Sequence, residues 1–261
     1  MTHETLLTEH AGPAYIIRFN RPERRNAISV RTMEEMLAVF AAVDRDPAVR
    51  GVIITGGDQY FSAGADLREV PALMSAPGTG VEYMALWRRL HAAIENLSKP
   101  VIAAIEGFCL TGGFELAMAC DLRVAGEGST YGITSAKIGT VPGSGGTQRL
   151  PRIVGIANAL EILFSAEPID AQHALRIGLL NKLVAKGEAL AAAKAIVDLY
   201  EQRAPLSLKL LKRAVYAGMQ MDLADAIEYE SFIVTTIYQS KDRDEGISAF
   251  LEKRKARFTG T

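Results

Sequence analysis

Glu115 sits in TGGFELAMACD (residues 111–121), with two glycines before it and no further charge until Asp121. A segment apolar on every side is normally buried. A carboxylate in such a place must be paired, hydrogen-bonded or shifted in pKa, because a bare buried charge is far too costly. Glu115 is therefore either a well-capped structural residue or a working acid/base. Acidic residues are also favoured in the first turn of a helix, so its position alone does not decide. Two glycine-bearing loops bear on the choice. In FSAGADL (61–67), the small residues Ala63, Gly64 and Ala65 leave the backbone open to a ligand. In LTGGFE (110–115), Gly112 and Gly113 open a helix, whose first N–H groups lack partners and carry the positive end of the dipole. One N–H from each loop, converging on an oxygen that develops negative charge, would make an oxyanion hole. Glycines after strands are also ordinary turns. It is the coincidence of both loops with a carboxylate in an apolar segment that points to chemistry.

Other chemistries are excluded by spacing. There is no G-x-x-x-x-G-K-S/T, and no G-x-G-x-x-G between a strand and a helix. PGSGG (142–146) lacks phosphate-loop spacing, and Pro142 stands where a G-x-S-x-G nucleophile elbow needs glycine. His3, His10, His91 and His173 are scattered with no pair at i, i+4, so no histidine metal site is expected and each reads as a surface or structural residue. Cys109 and Cys120 form no C-x-x-C and read as free thiols of a reducing compartment. With 49% hydrophobic and 23% charged residues the chain is an ordinary soluble globular protein. A net charge of −1 predicts no general attraction to nucleic acid or acidic membranes, KRKAR (253–257) being the local exception. No apolar run reaches the roughly 18 residues of a membrane span, and MTHETLLTEHAG reads as neither signal nor transit peptide. The expected location is the cytoplasm.

The elements that must position these residues alternate along the chain. LLTEH and AYIIRF read as a hairpin, and Thr32 with Glu35 as a capping box opening a helix to about Asp44. VRGVIITGG is a strand, and 71–80, with two prolines and two glycines, reads as a mobile surface loop. Tyr83, Trp87, Leu90, Ile94 and Leu97 give one apolar face to a helix ending before Pro100. PVIAAIEG is a buried strand, 111–120 a helix, and DLRVAG a strand again. The pattern predicts an α/β fold, a mainly parallel sheet with helices around it. From Asp170 onward the text is helical apart from LLNKLV, with helices over 186–203, from Pro205, over 222–239 and over 242–257. We divide the chain into a core, 1–204, and a helical region, 205–261. No internal repeat is visible.

Five blocks carry a resemblance: NRPERRNAIS (20–29), VIITGGDQYFSAGADL (52–67), KPVIAAIEGFCLTGGFELAMACDLRVA (99–125), KIGTVPGSGGTQRLPR (137–152) and GISAFLEKRKARF (246–258). Over essentially its whole length the chain resembles the enoyl-CoA hydratase/isomerase (crotonase) superfamily. The resemblance implies a spiral of repeated β-β-α turns with a helical C-terminal trimerisation region, in a homotrimer or hexamer. It implies a coenzyme A thioester as substrate, with no separate cofactor, its carbonyl held by the N–H groups of Ala65 and Gly112 and its proton moved by Glu115. Arg24 or Arg25 would lie near the nucleotide end of CoA. Ala63, Asp66 and Leu67 would contact its adenine or pantetheine part, and Phe250 and Lys253 would close on the nucleotide from a neighbouring subunit. Tyr83 and Trp87 would line the acyl pocket.

One position departs from the family. Hydratases resembling this chain carry two glutamates; one matches Glu115, and the other falls on Ser135 in YGITSAKIGTVPG. No Asp or Glu stands between Glu127 and Glu161. A serine hydroxyl takes no proton near neutral pH without a neighbouring base. The family's isomerases manage with one carboxylate, commonly the second. Three options follow: hydration by Glu115 with Ser135 orienting the water; an isomerase, C–C lyase or hydrolase of acyl-CoA; or a weakly active member that binds a CoA ester or RNA.

Overall fold

In the computed structural model, which describes residues 3–75 and 78–261, the chain passes repeatedly from one sheet to another. Strand β1 (Leu6–Ala11) pairs antiparallel with β2 (Ala14–Phe19). Then β3 (Gly51–Thr55) joins the large sheet and β4 (Tyr60–Ser62) the small one. The same step recurs with β5 (Val101–Ile105) and β6 (Phe108–Leu110), and with β7 (Leu122–Gly126) and β8 (Thr130–Gly132). With β9 (Ile169–Asp170) and β10 (Lys182–Val184), the sheets run β1-β2-β3-β5-β7-β10 and β4-β6-β8-β9. From β2 to β10 the large sheet is parallel, and in the small sheet only the β8–β9 pair is antiparallel. Every residue of β3 and β5 is buried, which is why these strands are continuous apolar runs rather than alternating ones.

Helices complete each turn. After β4 come α2 (Val70–Ser75) and α3 (Thr79–Asn96), after β6 comes α4 (Gly112–Ala119), and after β8 come α5 (Gly146–Val154) and α6 (Ile156–Ser165). The result is the expected spiral of β-β-α turns. It is a repeat of backbone pairing, with different residues in each turn, so the sequence shows none. The stretch 71–80 is not one loop: α2 reaches Ser75 and α3 begins at Thr79, with Ala76 and Pro77 outside the described residues.

The expected capping box is also revised. Between β2 and β3 lies a long helix, α1 (Val30–Asp44), whose N-cap is Ser29; the Ser29 Oγ accepts from Thr32 N at 3.1 Å. Thr32 lies inside this helix, and Glu35 serves another purpose, accepting from Glu4 N, Thr5 N and Thr5 Oγ1 and so tying the N-terminal segment down.

Past a short helix, Ala171–Arg176, and a longer one, Ala189–Glu201, three helices close the chain: Pro205–Gly218, Leu223–Ile237 and Lys241–Leu251. The last ends at Leu251, short of the expected 257, so KRKAR is not helical. The first of the three is fixed to the core through Asp121: Lys212 Nζ pairs with its Oδ2 at 2.8 Å and the Tyr216 hydroxyl donates to Oδ1 at 3.0 Å. Among the described residues, no helix is long and apolar enough to cross a membrane.

Candidate active site

Two glycines let the ends of β4 and β6 touch. At Gly64, φ is +103°, and a Cβ there would stand 3.0 Å from both Gly112 N and Leu110 O. A Cβ on Gly112 would stand 3.1 Å from Ala65 N and from the Trp87 ring. Side chains at either position would fill the gap between the loops, so the close approach requires glycine.

The backbone around Ala65 leaves its N–H unused. Ile28 and Ala65 form a parallel bridge in which Ile28 N donates to Gly64 O at 2.7 Å and Asp66 N to Ile28 O at 3.0 Å. That pattern turns the Ala65 N–H to the opposite side. Gly112 N lies in the first turn of α4, where helix geometry supplies no acceptor. Among the described residues neither N–H has a hydrogen-bond partner. Thr111, which sets the direction of α4, has φ 44° and ψ −115°, a conformation that disfavours a side chain. It is held there by its N–H on Gly132 O at 2.8 Å and by its hydroxyl against that of Thr134 at 3.1 Å.

Glu115 projects from the same first turn of α4 and is buried. Its Oε1 accepts from Ser144 N at 2.9 Å, on the loop leading into α5, and from Gly146 N at 2.7 Å, the first residue of α5. Burial pushes its carboxyl above the ordinary value, against those bonds, the Ser144 side chain and the charge of Arg149. Both backbone N–H contacts thus fall on one oxygen of the group, Oε1.

Ala63, Ala65, Gly112, Glu115 and Ser135 line one cavity of about 400 Å³, with Tyr83 and Trp87 in its wall. Ser135 is buried at the start of a 3-10 turn, Ser135–Ile138. A second, apolar cavity of about 410 Å³ shares Ser135, Thr140, Val141 and Pro142 with the first. Among the described residues, no group of three or more His, Cys, Asp or Glu side chains is placed to hold a metal. Both cysteines are buried and free; burial pushes the Cys120 thiol up to about 12 and Cys109 well up too.

The structure does not bring every expected binding residue to this cavity. Leu67 is at its rim, 62% exposed. Asp66 is turned inward, its carboxylate accepting from Arg21 Nη2 at 2.8 Å and Arg68 N at 3.2 Å, so it is occupied within the chain. Arg24 and Arg25 lie on the 3-10 turn at Pro22–Arg24 and its C-cap, outside the cavity lining. Phe250, 82% exposed, and Lys253 also lie outside it within a single chain. Ser144 and Gly146, which hold the carboxylate, were not foreseen; the signal available was a glycine cluster running into a helix, a ready source of free N–H groups.

The sequence pattern of the enoyl-CoA hydratase/isomerase family matches residues 10–261. This chain belongs to that family. Among enoyl-CoA hydratase/isomerase relatives, it is 40% identical to the crotonyl-CoA hydratase of Syntrophomonas wolfei over 259 residues, 99% of each chain. It is 38% identical to the short-chain-enoyl-CoA hydratase of Clostridium acetobutylicum over 256 residues, 98% of this chain and 97% of the relative. The crystal structure of an enoyl-CoA hydratase from Bacillus anthracis superposes with a TM-score of 0.93 at 33% identity, covering 99% of this chain and all of that one. The α/β spiral with its helical C-terminal region is therefore the family's fold.

Proposed function

We propose that this chain is an enoyl-CoA hydratase, adding water across the 2,3 double bond of an enoyl thioester. The carrying observation is the meeting of two unpartnered N–H groups, Ala65 and Gly112, with an anchored, buried carboxylate, Glu115, in one cavity. In this reading the thioester oxygen accepts from both N–H groups and gathers charge as the enolate forms, where fixed donors act most strongly. Glu115 Oε2 takes a proton from water as its oxygen bonds to C3, and delivers a proton to C2, so one carboxylate serves both ends. Ser135 orients the water. Proton transfer and carbonyl polarisation complete the reaction without metal or prosthetic group. The names of the two relatives support a short enoyl substrate.

Ser135 favours a second reading within the family: isomerisation, C–C cleavage or thioester hydrolysis. Incubation with crotonyl-CoA separates them. Hydration removes the enoyl-thioester absorbance and adds the mass of one water; an unchanged mass or released free CoA overturns it. Ser135→Glu refines the result. If the site is a hydratase that has lost its second acid, the added carboxylate raises crotonyl-CoA hydration; if serine makes room for another substrate, hydration gains nothing and the native reaction falls.

For assembly, the apolar faces left bare on the C-terminal helices support a homotrimer or hexamer built on 205–261, with Phe250 and Lys253 meeting the CoA nucleotide of a neighbour and Arg24 or Arg25 meeting it from the same chain. Two buried reduced thiols suit the cytoplasm. RNA binding is disfavoured: in KRKAR, Arg254 is paired with Glu245 and Glu252.

A further inference from the structure

His91, on α3, is 1% exposed, and its Nδ1 lies 2.7 Å from Ser144 O. A carbonyl only accepts, so Nδ1 carries the ring's proton and Nε2 is a bare acceptor. That Nε2 is buried with no partner among the described residues. An apolar ring would avoid this orphan, so histidine is kept here at the expense of stability. The carbonyl it binds lies between the two N–H groups, Ser144 and Gly146, that hold Glu115 Oε1.

We propose that His91 is a positioning residue for Glu115: by pinning the Ser144 carbonyl it keeps both flanking N–H groups on the carboxylate. Arg149 assists from α5, its Nη1 donating to the same carbonyl at 3.1 Å while Nε is paired with Glu95 at 2.7 Å. The nearby guanidinium has a second effect. Burial and the Arg149 charge hold the His91 ring at a pKa of about 3, so the donor stays neutral across the working range. The groups facing Glu115 are Arg149 from α5 and Tyr83 from α3, whose hydroxyl is pushed up by burial with Glu69, Asp66 and Glu115 adding. Those facing His91 are Arg149 and the Trp87 ring, at 5.6 Å between centroids. Of these, only Arg149 also donates to the Ser144 carbonyl, and its 3.1 Å contact is longer than the 2.7 Å contact from Nδ1.

The inference rests on Glu115 acting as the acid/base, and the test keeps the two apart. His91→Leu and His91→Phe remove the donor; His91→Asn restores one, because its Nδ2 occupies the place of Nδ1. The Glu115 carboxyl is titrated in the free protein by carbon NMR, with Glu115→Gln identifying its signal. Without the donor, the loop loosens, the anion loses its N–H partners, and the Glu115 pKa rises by about one unit or more. The acid limb of the crotonyl-CoA pH profile moves up with it, kcat falls about tenfold or more and KM changes little. His91→Asn returns both values toward wild type. A Glu115 titration unchanged in His91→Leu or His91→Phe overturns the proposal, as does a His91→Asn protein that titrates like His91→Leu. Absence of hydration in the wild type, with the titration shift present, would instead remove only the reaction assigned above.

Discussion

Helices α4 and Leu223–Ile237 are both rich in apolar residues, yet they meet opposite fates. All eight residues of α4 are buried within the chain. Of the fifteen in Leu223–Ile237 only Ile233 is, while Leu223 is 77% exposed and Phe232 67%. Apolar composition states that a helix will be covered, and not by what. The core finishes α4 by itself and holds a carboxylate inside it, the feature on which the proposed acid/base role rests. The later helix is left bare in the single chain, and it is the surface on which the proposed assembly rests.

The contrast fails first at Glu115 if it fails at all. Glu115→Gln keeps the size and removes the proton acceptor, so turnover should fall by about 100-fold or more while binding of a CoA ester stays nearly unchanged. Retained turnover would make the carboxylate structural, and α4 merely a buried helix. On the other side, Leu223→Glu with Phe232→Glu should convert a trimer or hexamer into monomers, read by light scattering at micromolar concentration. A wild-type protein already of monomer mass would leave the exposed helix without an explanation.

Buried His91 and Glu115 lie beside and on α4, while Leu223–Ile237 carries no buried titratable group, so the two helices should differ in pH sensitivity. His91 is held neutral when folded, with its pKa lowered from 6.5 to about 3, and it takes a proton more readily when unfolded. Stability is therefore lost as the pH falls from 6.5 toward 3, and chemical denaturation across that window should show a shallower decline in His91→Leu. Glu115 has the opposite sign. Its raised folded pKa means that ionisation at neutral pH opposes folding. Glu115→Gln should melt at least as high as wild type at pH 7, by about 2 °C at most, and below wild type would mean that the ionised carboxylate stabilises the fold.

How far the sequence disclosed this follows from length and distance. Strands β3 and β5 were legible because burial on both faces writes itself as five-residue apolar runs, and β7 kept enough of the pattern despite Arg123. Strands β4, β6 and β8 are three residues each, too short for any period, so the small sheet and the repeat it creates were invisible. The glycines near Ala65 and Gly112 could be read because close approach demands small residues wherever it occurs. His91 could not: it is one histidine on an apolar helix face, and the carbonyl that gives it meaning is 53 residues away. Thr32 and Glu35 matched a capping motif locally, but Ser29, three residues before Thr32, is the cap, and Glu35 holds Glu4 and Thr5 ahead of β1 instead.

Both sheets list their strands in the order in which the chain is made, β1-β2-β3-β5-β7-β10 and β4-β6-β8-β9. No later strand is inserted between two earlier ones. Each strand leaving the ribosome can therefore dock on the open edge left by its predecessor, and nothing already paired has to separate. During synthesis the growing edge of each sheet is exposed only until the next turn of the spiral covers it. Nascent chains stalled once β6 has emerged should already hold β3 and β5 in native register, which cysteine crosslinking across Ile53 and Ile102 would detect.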